Sequence, residues 1–212
     1  MIRRSFSRLF ATCLMGLASV LVLPAFAADE APDALVNRLT TEAITAIKAD
    51  KSLQNGDISR AIALVDSMIM PHVNFQRMTA FAVGPTWRQA SPEQQKRLQE
   101  EFKTLLVRTY AGALAQVNDL SITVKPMRYS PDDKEVIVRT LVKGRGDPIQ
   151  LDYRLEKTPG QGAGWKIYNL NVLGVWLADT YRSQFAQEIS ASGLDGLITT
   201  LSERNKANKK KV

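Results

Sequence analysis

Near Leu120 the apolar residues stop recurring every three or four positions and begin to alternate with polar ones, which fixes the order in which helices and strands follow one another. Upstream the spacing is helical. Leu35, Leu39, Ala43, Ile44 and Ile47 share one face of a helix predicted from Asp33 to about Ala49, closed off by Asn55-Gly56. Asp57 caps a second, in which Ile58, Ala61, Ile62, Val65 and Ile69 repeat up to Pro71, and a short third runs from Asn74 to Gly84. The longest begins at Ser91-Pro92-Glu93-Gln94, where Ser91 caps, Pro92 takes the first helical position and Gln94 completes a capping box. Its stripe of Leu98, Phe102, Leu105, Leu106, Thr109, Ala113 and Val117 predicts a helix roughly 40 Å long.

Downstream the period is two. Ile122 and Val124 open a first strand, and Val136, Val138, Thr140 and Val142 line one side of a second. Ile149, Leu151, Tyr153 and Leu155 alternate with Gln150, Asp152, Arg154 and Glu156 in a third, and Trp165 to Val172 makes a fourth. The links at 132–133, 144–147 and 159–164 are short and turn-rich, which favours an antiparallel meander. After Gly174 helical spacing returns with Leu177, Tyr181, Phe185 and Ile189; Gly193 punctuates it, and Leu194, Leu197, Ile198 and Leu201 form a last helix. The chain therefore reads as one α+β domain over residues 28–205: N-terminal helices, a four-stranded antiparallel twisted sheet, then two C-terminal helices.

Residues 1–27 read as a signal peptide. Arg3, Arg4 and Arg8 precede an uncharged run from Leu9 to Leu23, Pro24 breaks it, and Ala25-Phe26-Ala27 supplies the small residues of a cleavage site after Ala27. The run is shorter than the about 20 residues of a spanning helix. Arg3-Arg4-Ser5-Phe6 partly resembles a twin-arginine motif whose remainder is missing, so the reading is ordinary Sec export. The only cysteine, Cys13, lies in this leader, which excludes disulfides, thiolate nucleophiles and cysteine metal sites from the mature chain. The formal charge of +7 also falls, because three of the 28 basic residues leave and all 21 acids stay, giving 25 against 21, or +4. Much of that excess sits in a basic tail over 206–212 and in Arg204 just before it, the pattern of a solvated end. Without a basic face interleaved with aromatics, an exported chain offers nothing to nucleic acid.

No catalytic constellation emerges. His72 is the only histidine, without further ligands for a metal and without a G-x-S-x-G nucleophile motif. Asp152 and Glu156 share one strand face, read as the wet outer side of the sheet, and Gly160 to Gly164 reads as a hairpin loop without a phosphate-binding signature. No catalytic residue, metal or cofactor is expected.

Two segments have a definite character. Gly84-Pro85-Thr86-Trp87-Arg88 is followed by Ser91-Pro92-Glu93-Gln94-Gln95, Phe102, Leu105-Leu106, Arg108-Thr109-Tyr110-Ala111 and Ala113-Leu114. Later come Trp165-Lys166-Ile167-Tyr168, Val172-Leu173-Gly174-Val175, Tyr181-Arg182-Ser183-Gln184-Phe185 and Gly193-Leu194-Asp195-Gly196-Leu197-Ile198. In this order they resemble the toluene-tolerance, or MlaC, family across roughly Ala34 to Arg204. The resemblance implies a periplasmic phospholipid-binding carrier, a monomer without cofactor. It would exchange lipid transiently with an inner-membrane ABC transporter complex and an outer-membrane lipoprotein complex, and so maintain outer-membrane lipid asymmetry. It also implies an apolar pocket enclosed between helices and a twisted sheet. Two positions depart from the pattern: Trp176 stands where the family commonly has a small residue, and Leu98 replaces a frequent phenylalanine.

Moving a lipid through water means removing its tails from a bilayer at about 0.8 kcal/mol per CH₂, or roughly 20 kcal/mol for two chains, which an enclosed apolar lining must offset. On the sheet the candidates are Val138, Leu151, Tyr153 and Leu155, joined by Val175. On the helices they are Trp87, Phe102, Leu105, Leu106, Tyr110, Leu177, Tyr181 and Phe185. Arg88 and Arg182 at a rim suit phosphate or serve ordinary pairing, and Trp176 either narrows a pocket mouth or belongs to the core. The same apolar residues would also build a solid core, because periodicity does not distinguish a filled interior from a hollow one. A chaperone or protein-interaction module with an apolar face, and a small hydrolase, are the rival readings.

Overall fold

A computed structural model describes residues 29–114, 120–144 and 147–209; the predicted leader, Val117 and the last residues of the basic tail lie outside them. Helix α1 (Pro32–Ala49) starts on a proline, whose missing N–H is harmless in a first turn, and Arg38 holds the preceding Glu30 with bonds of 3.0 and 2.7 Å. Asp50 ends α1 and caps α2 (Lys51–Gln54), accepting from the Ser52 and Leu53 amides at 2.8 and 3.3 Å. Helix α3 (Ile58–Leu64) carries the predicted Asp57 cap, with bonds from Ser59 N at 2.8 Å and Arg60 N at 3.1 Å.

The helix expected to continue to Pro71 does not. It widens to a π turn at Val65–Ile69 and tightens to a 3₁₀ turn at Met70–His72. Pro71 has no N–H for the ladder, and the Ser67 hydroxyl bonds the Ala63 carbonyl at 2.8 Å, so regular α geometry ends early although the apolar spacing runs on. Asn74 then caps α4 (Phe75–Val83), and a 3₁₀ turn at Gly84–Gln89 leads into α5 (Pro92–Leu114). Both halves of the predicted capping box form: Gln94 N donates to Ser91 Oγ at 3.2 Å, and Ser91 N to Gln94 Oε1 at 3.0 Å.

The sheet is an antiparallel meander of five strands rather than four: β1 (Ser121–Val124), β2 (Glu135–Lys143), β3 (Ile149–Lys157), β4 (Trp165–Val172) and β5 (Val175–Trp176). A strand of two residues shows no period, which is why alternation missed it. The chain turns from β4 to β5 through Leu173 and Gly174, both with positive φ (53° and 87°), the geometry of a two-residue hairpin. A bulge at Tyr168 shifts the register of β4 between Ile167 and Asn169. It keeps Leu170 and Val172 on the same face as Trp165 and Ile167, where strict alternation would have turned them over.

The two predicted C-terminal helices are limbs of one run, α6 (Leu177–Lys209), broken at Gly193 (φ 70°, ψ −173°). α4 and α5 both pack on α6 around Phe102, Leu98, Phe185 and Leu201. The second apolar cluster is separate: Leu35, Val36 and Leu39 of α1 cover Val136, Val138, Leu155 and Trp165 on the sheet. Val73 packs against both clusters and forms an isolated parallel bridge with Ile167.

The sheet face opposite α1 is not uniformly wet, as its charges suggest. Asp152, Asn169 and Asn171 are at most 5% exposed, because β5 and the start of α6 fold over them. Asn169 explains the closure: its Oδ1 accepts from Ala178 N at 3.1 Å and its Nδ2 donates to Asp179 Oδ2 at 2.9 Å, tying the first turn of α6 to the strand.

Candidate functional site

The register puts Val136, Val138 and Thr140 of β2 opposite Leu155, Tyr153 and Leu151 of β3, which in turn face Ile167, Leu170 and Val172 of β4. Exposure along this apolar face is graded. At the end beneath α1, Val138 and Leu155 are fully buried and Trp165 is nearly so. In the middle Leu151, Leu170 and Val172 are half-buried. At the far end Ile149 and Val175 are 40% and 49% exposed. A core sealed all round would not leave one end of its apolar sheet face open to water.

The helical wall shows a similar change along α5. Phe102 is fully buried, with its ring edge-on to Tyr181 at 5.0 Å and to Phe185 at 5.2 Å, and Leu105 is 5% exposed. One turn further, Leu106 is half-buried and Tyr110 is 37% exposed. Burial pushes the Tyr153, Tyr181 and Tyr110 phenols up from their ordinary value, so all three stay neutral and the walls carry no charge of their own from these groups.

The expected lining residues thus fall into two layers. Phe102, Leu105 and Phe185, with Trp87, Leu106 and Tyr181 packed against them, belong to the helical cluster, and Leu177 is buried at the start of α6. Val138, Tyr153 and Leu155, with Leu151 against them, belong to the sheet cluster, and Val175 lies at its open end. Trp176 is placed elsewhere. It pairs with Asn171, on the polar side of the sheet, with the Arg154 guanidinium 4.0 Å from its ring centroid. Arg182 lies 5.2 Å over the Phe81 ring, and Arg88 is exposed in the 3₁₀ turn before α5. Ile149 and Leu173 were not singled out from sequence. No local signal marks the second, because the dipeptides that announce a two-residue hairpin put asparagine, aspartate or glycine where Leu173 stands.

The two acids that share the polar strand face, Glu156 and Asp152, are hydrogen-bonded within the fold. Glu156 is bound by Arg77 and Asn74, and Arg77 also binds Glu135 while lying 3.7 Å from the Tyr168 ring centroid. Asp152 accepts from Gln150 Nε2 at 2.7 Å. No cluster of metal-ligating side chains occurs among the described residues. An open cleft of about 500 Å³ lies between the end of α1, α2 and α3; its lining mixes Asp50, Lys51, Arg60 and Ser67 with Ala46, Leu53 and Leu64, and it is too open to solvent to enclose an acyl chain.

Comparison with known proteins gives this arrangement a context. A phospholipid-binding protein from Ralstonia solanacearum, solved in complex with a phospholipid, shares the fold with a TM-score of 0.79 and 44% identity, over 84% of this chain and 98% of that one. The toluene tolerance protein ttg2D of Pseudomonas putida is 29% identical over 170 residues, 79% of this chain and 77% of that protein. The intermembrane phospholipid transport system binding protein MlaC of Haemophilus influenzae is 23% identical over 189 residues, 88% of each. The family described as MlaC protein matches residues 37–203, from early in α1 to late in α6, and the chain belongs to it.

Proposed function

We propose that the chain is a periplasmic phospholipid carrier that shelters acyl tails along the apolar sheet face where α1 leaves it uncovered. It moves the lipid between inner- and outer-membrane complexes without altering it. The observation that carries this reading is the graded sheet face, sealed at Val138 and Leu155 and open at Ile149 and Val175. Its weight is increased by 44% identity to a protein solved with a phospholipid, and by a relative named for an intermembrane phospholipid transport system.

The division of labour follows from burial. Fully buried Phe102 and Leu155 act as fixed walls, whereas half-buried Leu151 and Leu106 and exposed Tyr110 can part to admit tails. Val73 is the apolar residue that packs against both clusters, while polar bonds from Asn74, Arg77 and Asn169 hold α4 and α6 to the strands. The exposed arginines Arg88 and Arg182 have the planar donors that suit a phosphate headgroup. The predicted leader supplies the route to the periplasm.

The test is purification without detergent followed by organic extraction and mass spectrometry. A stoichiometric phospholipid is expected; a lipid-free, fully folded protein that also takes up none from vesicles overturns the proposal.

A further inference from the structure

We propose that the β4–β5 turn is a membrane-contact tip that seats the open end of the apolar layer on the surface of a phospholipid bilayer. This inference rests on the carrier reading. Leu173 is the one non-glycine residue with positive φ among the described residues, and at 66% it is also the most exposed large apolar side chain there. Glycine or asparagine would hold that backbone with less strain, and a leucine two-thirds in water contributes little to packing. Both costs of this leucine fall on the isolated molecule, and a partner surface that takes up the side chain removes the second of them.

The neighbours of Leu173 extend the same character. Its amide donates to Gln150 O at 3.1 Å, which fixes the turn beside the start of β3. Ile149 and Val175 stand there at 40% and 49% exposure, so the three most exposed large aliphatic side chains among the described residues gather at one end of the sheet. Through Val172, paired with both Val175 and Leu151, they continue into the apolar face.

A bilayer fits this feature for two reasons. A two-residue turn is convex and narrow, and a fluid surface accommodates such a shape without a matching groove. The tip also runs unbroken into the apolar face, so a seated tip gives acyl tails a path that avoids water. Three aliphatic side chains make only a weak, reversible contact, as a carrier that must leave again requires. The attraction is apolar in kind, so it persists at high salt and on uncharged vesicles.

The experiment uses an environment-sensitive fluorophore on Leu173→Cys in a Cys13→Ser background, with Ile137→Cys as the control on the opposite face. With phosphatidylcholine vesicles, the label at 173 is expected to shift to the blue and the label at 137 to stay unchanged. Independently, Leu173→Gly relieves the backbone conformation, so it is expected to keep or raise the melting temperature and to keep the co-purified lipid. It should nonetheless extract a fluorescent phospholipid from vesicles about tenfold more slowly, the loss expected from removing one inserted aliphatic side chain. A silent label at 173, or a wild-type extraction rate in Leu173→Gly, overturns the assignment, including the case in which the tip docks on a protein instead. Absence of lipid from the purified wild type would strike the carrier reading itself, before any vesicle is added.

Discussion

Arg154 sits over Trp176, its guanidinium carbon 4.0 Å from the ring centroid, while its Nη1 reaches Asp179 Oδ2 at 3.4 Å. The pair joins β3, β5 and the start of α6 on the polar side of the sheet, away from Leu151, Tyr153 and Leu155. Replacing Trp176 by serine should cost about 1–2 kcal/mol through lost stacking and ring packing. Urea denaturation measures that loss. The chain-length profile of bound lipid should stay as it is, and a shifted profile would place the indole at the pocket instead.

Arg77 binds Glu156 and Glu135 together, bringing α4 onto strands β2 and β3. Glu156→Gln should destabilise the fold by about 1–2 kcal/mol, since it leaves a partly buried arginine with a weaker partner. Denaturant titration of the single variants and of the Arg77→Met, Glu156→Gln pair should return a smaller loss for the pair than for the sum.

Acid should lower the stability of the fold in two stages. Burial holds His72 below its ordinary value of 6.5, so the folded chain resists a proton that the unfolded chain accepts. The resulting contribution is complete above about pH 6.5 and is lost as the pH falls through the lower folded value. Glu135 and Glu30 are held below the ordinary 4.5 by hydrogen bonds from Arg77 and Arg38, and their contribution is whole above about pH 4.5 and declines below it. The urea midpoint measured against pH should lose its first stage in His72→Gln and have a shallower second stage in Glu135→Gln.

Core and wall residues should separate by mutation. Phe102→Ala removes a fully buried ring with three aromatic neighbours and should cost about 3–5 kcal/mol. Leu151→Ala, at a half-buried position, should cost about 1 kcal/mol and weaken lipid retention more than Phe102→Ala does relative to its effect on stability. Thermal melts paired with lipid quantification check both.

Gly193→Ala tests the break in α6. A φ of 70° with ψ of −173° is open to glycine almost alone, and no neighbouring atom crowds the position, so the penalty is one of backbone conformation, about 1–3 kcal/mol.

The order of helices and strands was legible because apolar spacing is a local property: the caps at Asp57 and Ser91, the strand limits near Ile149 and Trp165, and the break at Gly193 all follow from a few adjacent residues. Features set by distant partners were not legible. The π turn at Val65–Ile69 keeps a helical apolar stripe, so nothing in the spacing reveals it. Asp152 and Asn171 alternate like solvent-facing residues, and only the return of β5 and α6 across them makes them buried. Among the candidate lining residues, period two put Leu151, Tyr153 and Leu155 on one face correctly, yet their graded exposure depends on where α1 stops covering the sheet. Trp176 illustrates the same limit, since its face is decided by the hairpin that turns it onto Asn171.

The most direct measurement is a crystal structure of the protein purified with its native lipid. The account predicts acyl-chain density along Leu151, Leu170 and Val172 of the sheet, emerging past Val175. Side chains in mutual contact throughout that space, with lipid seated in the cleft between α2 and α3 or absent from a protein shown to carry it, would contradict the account.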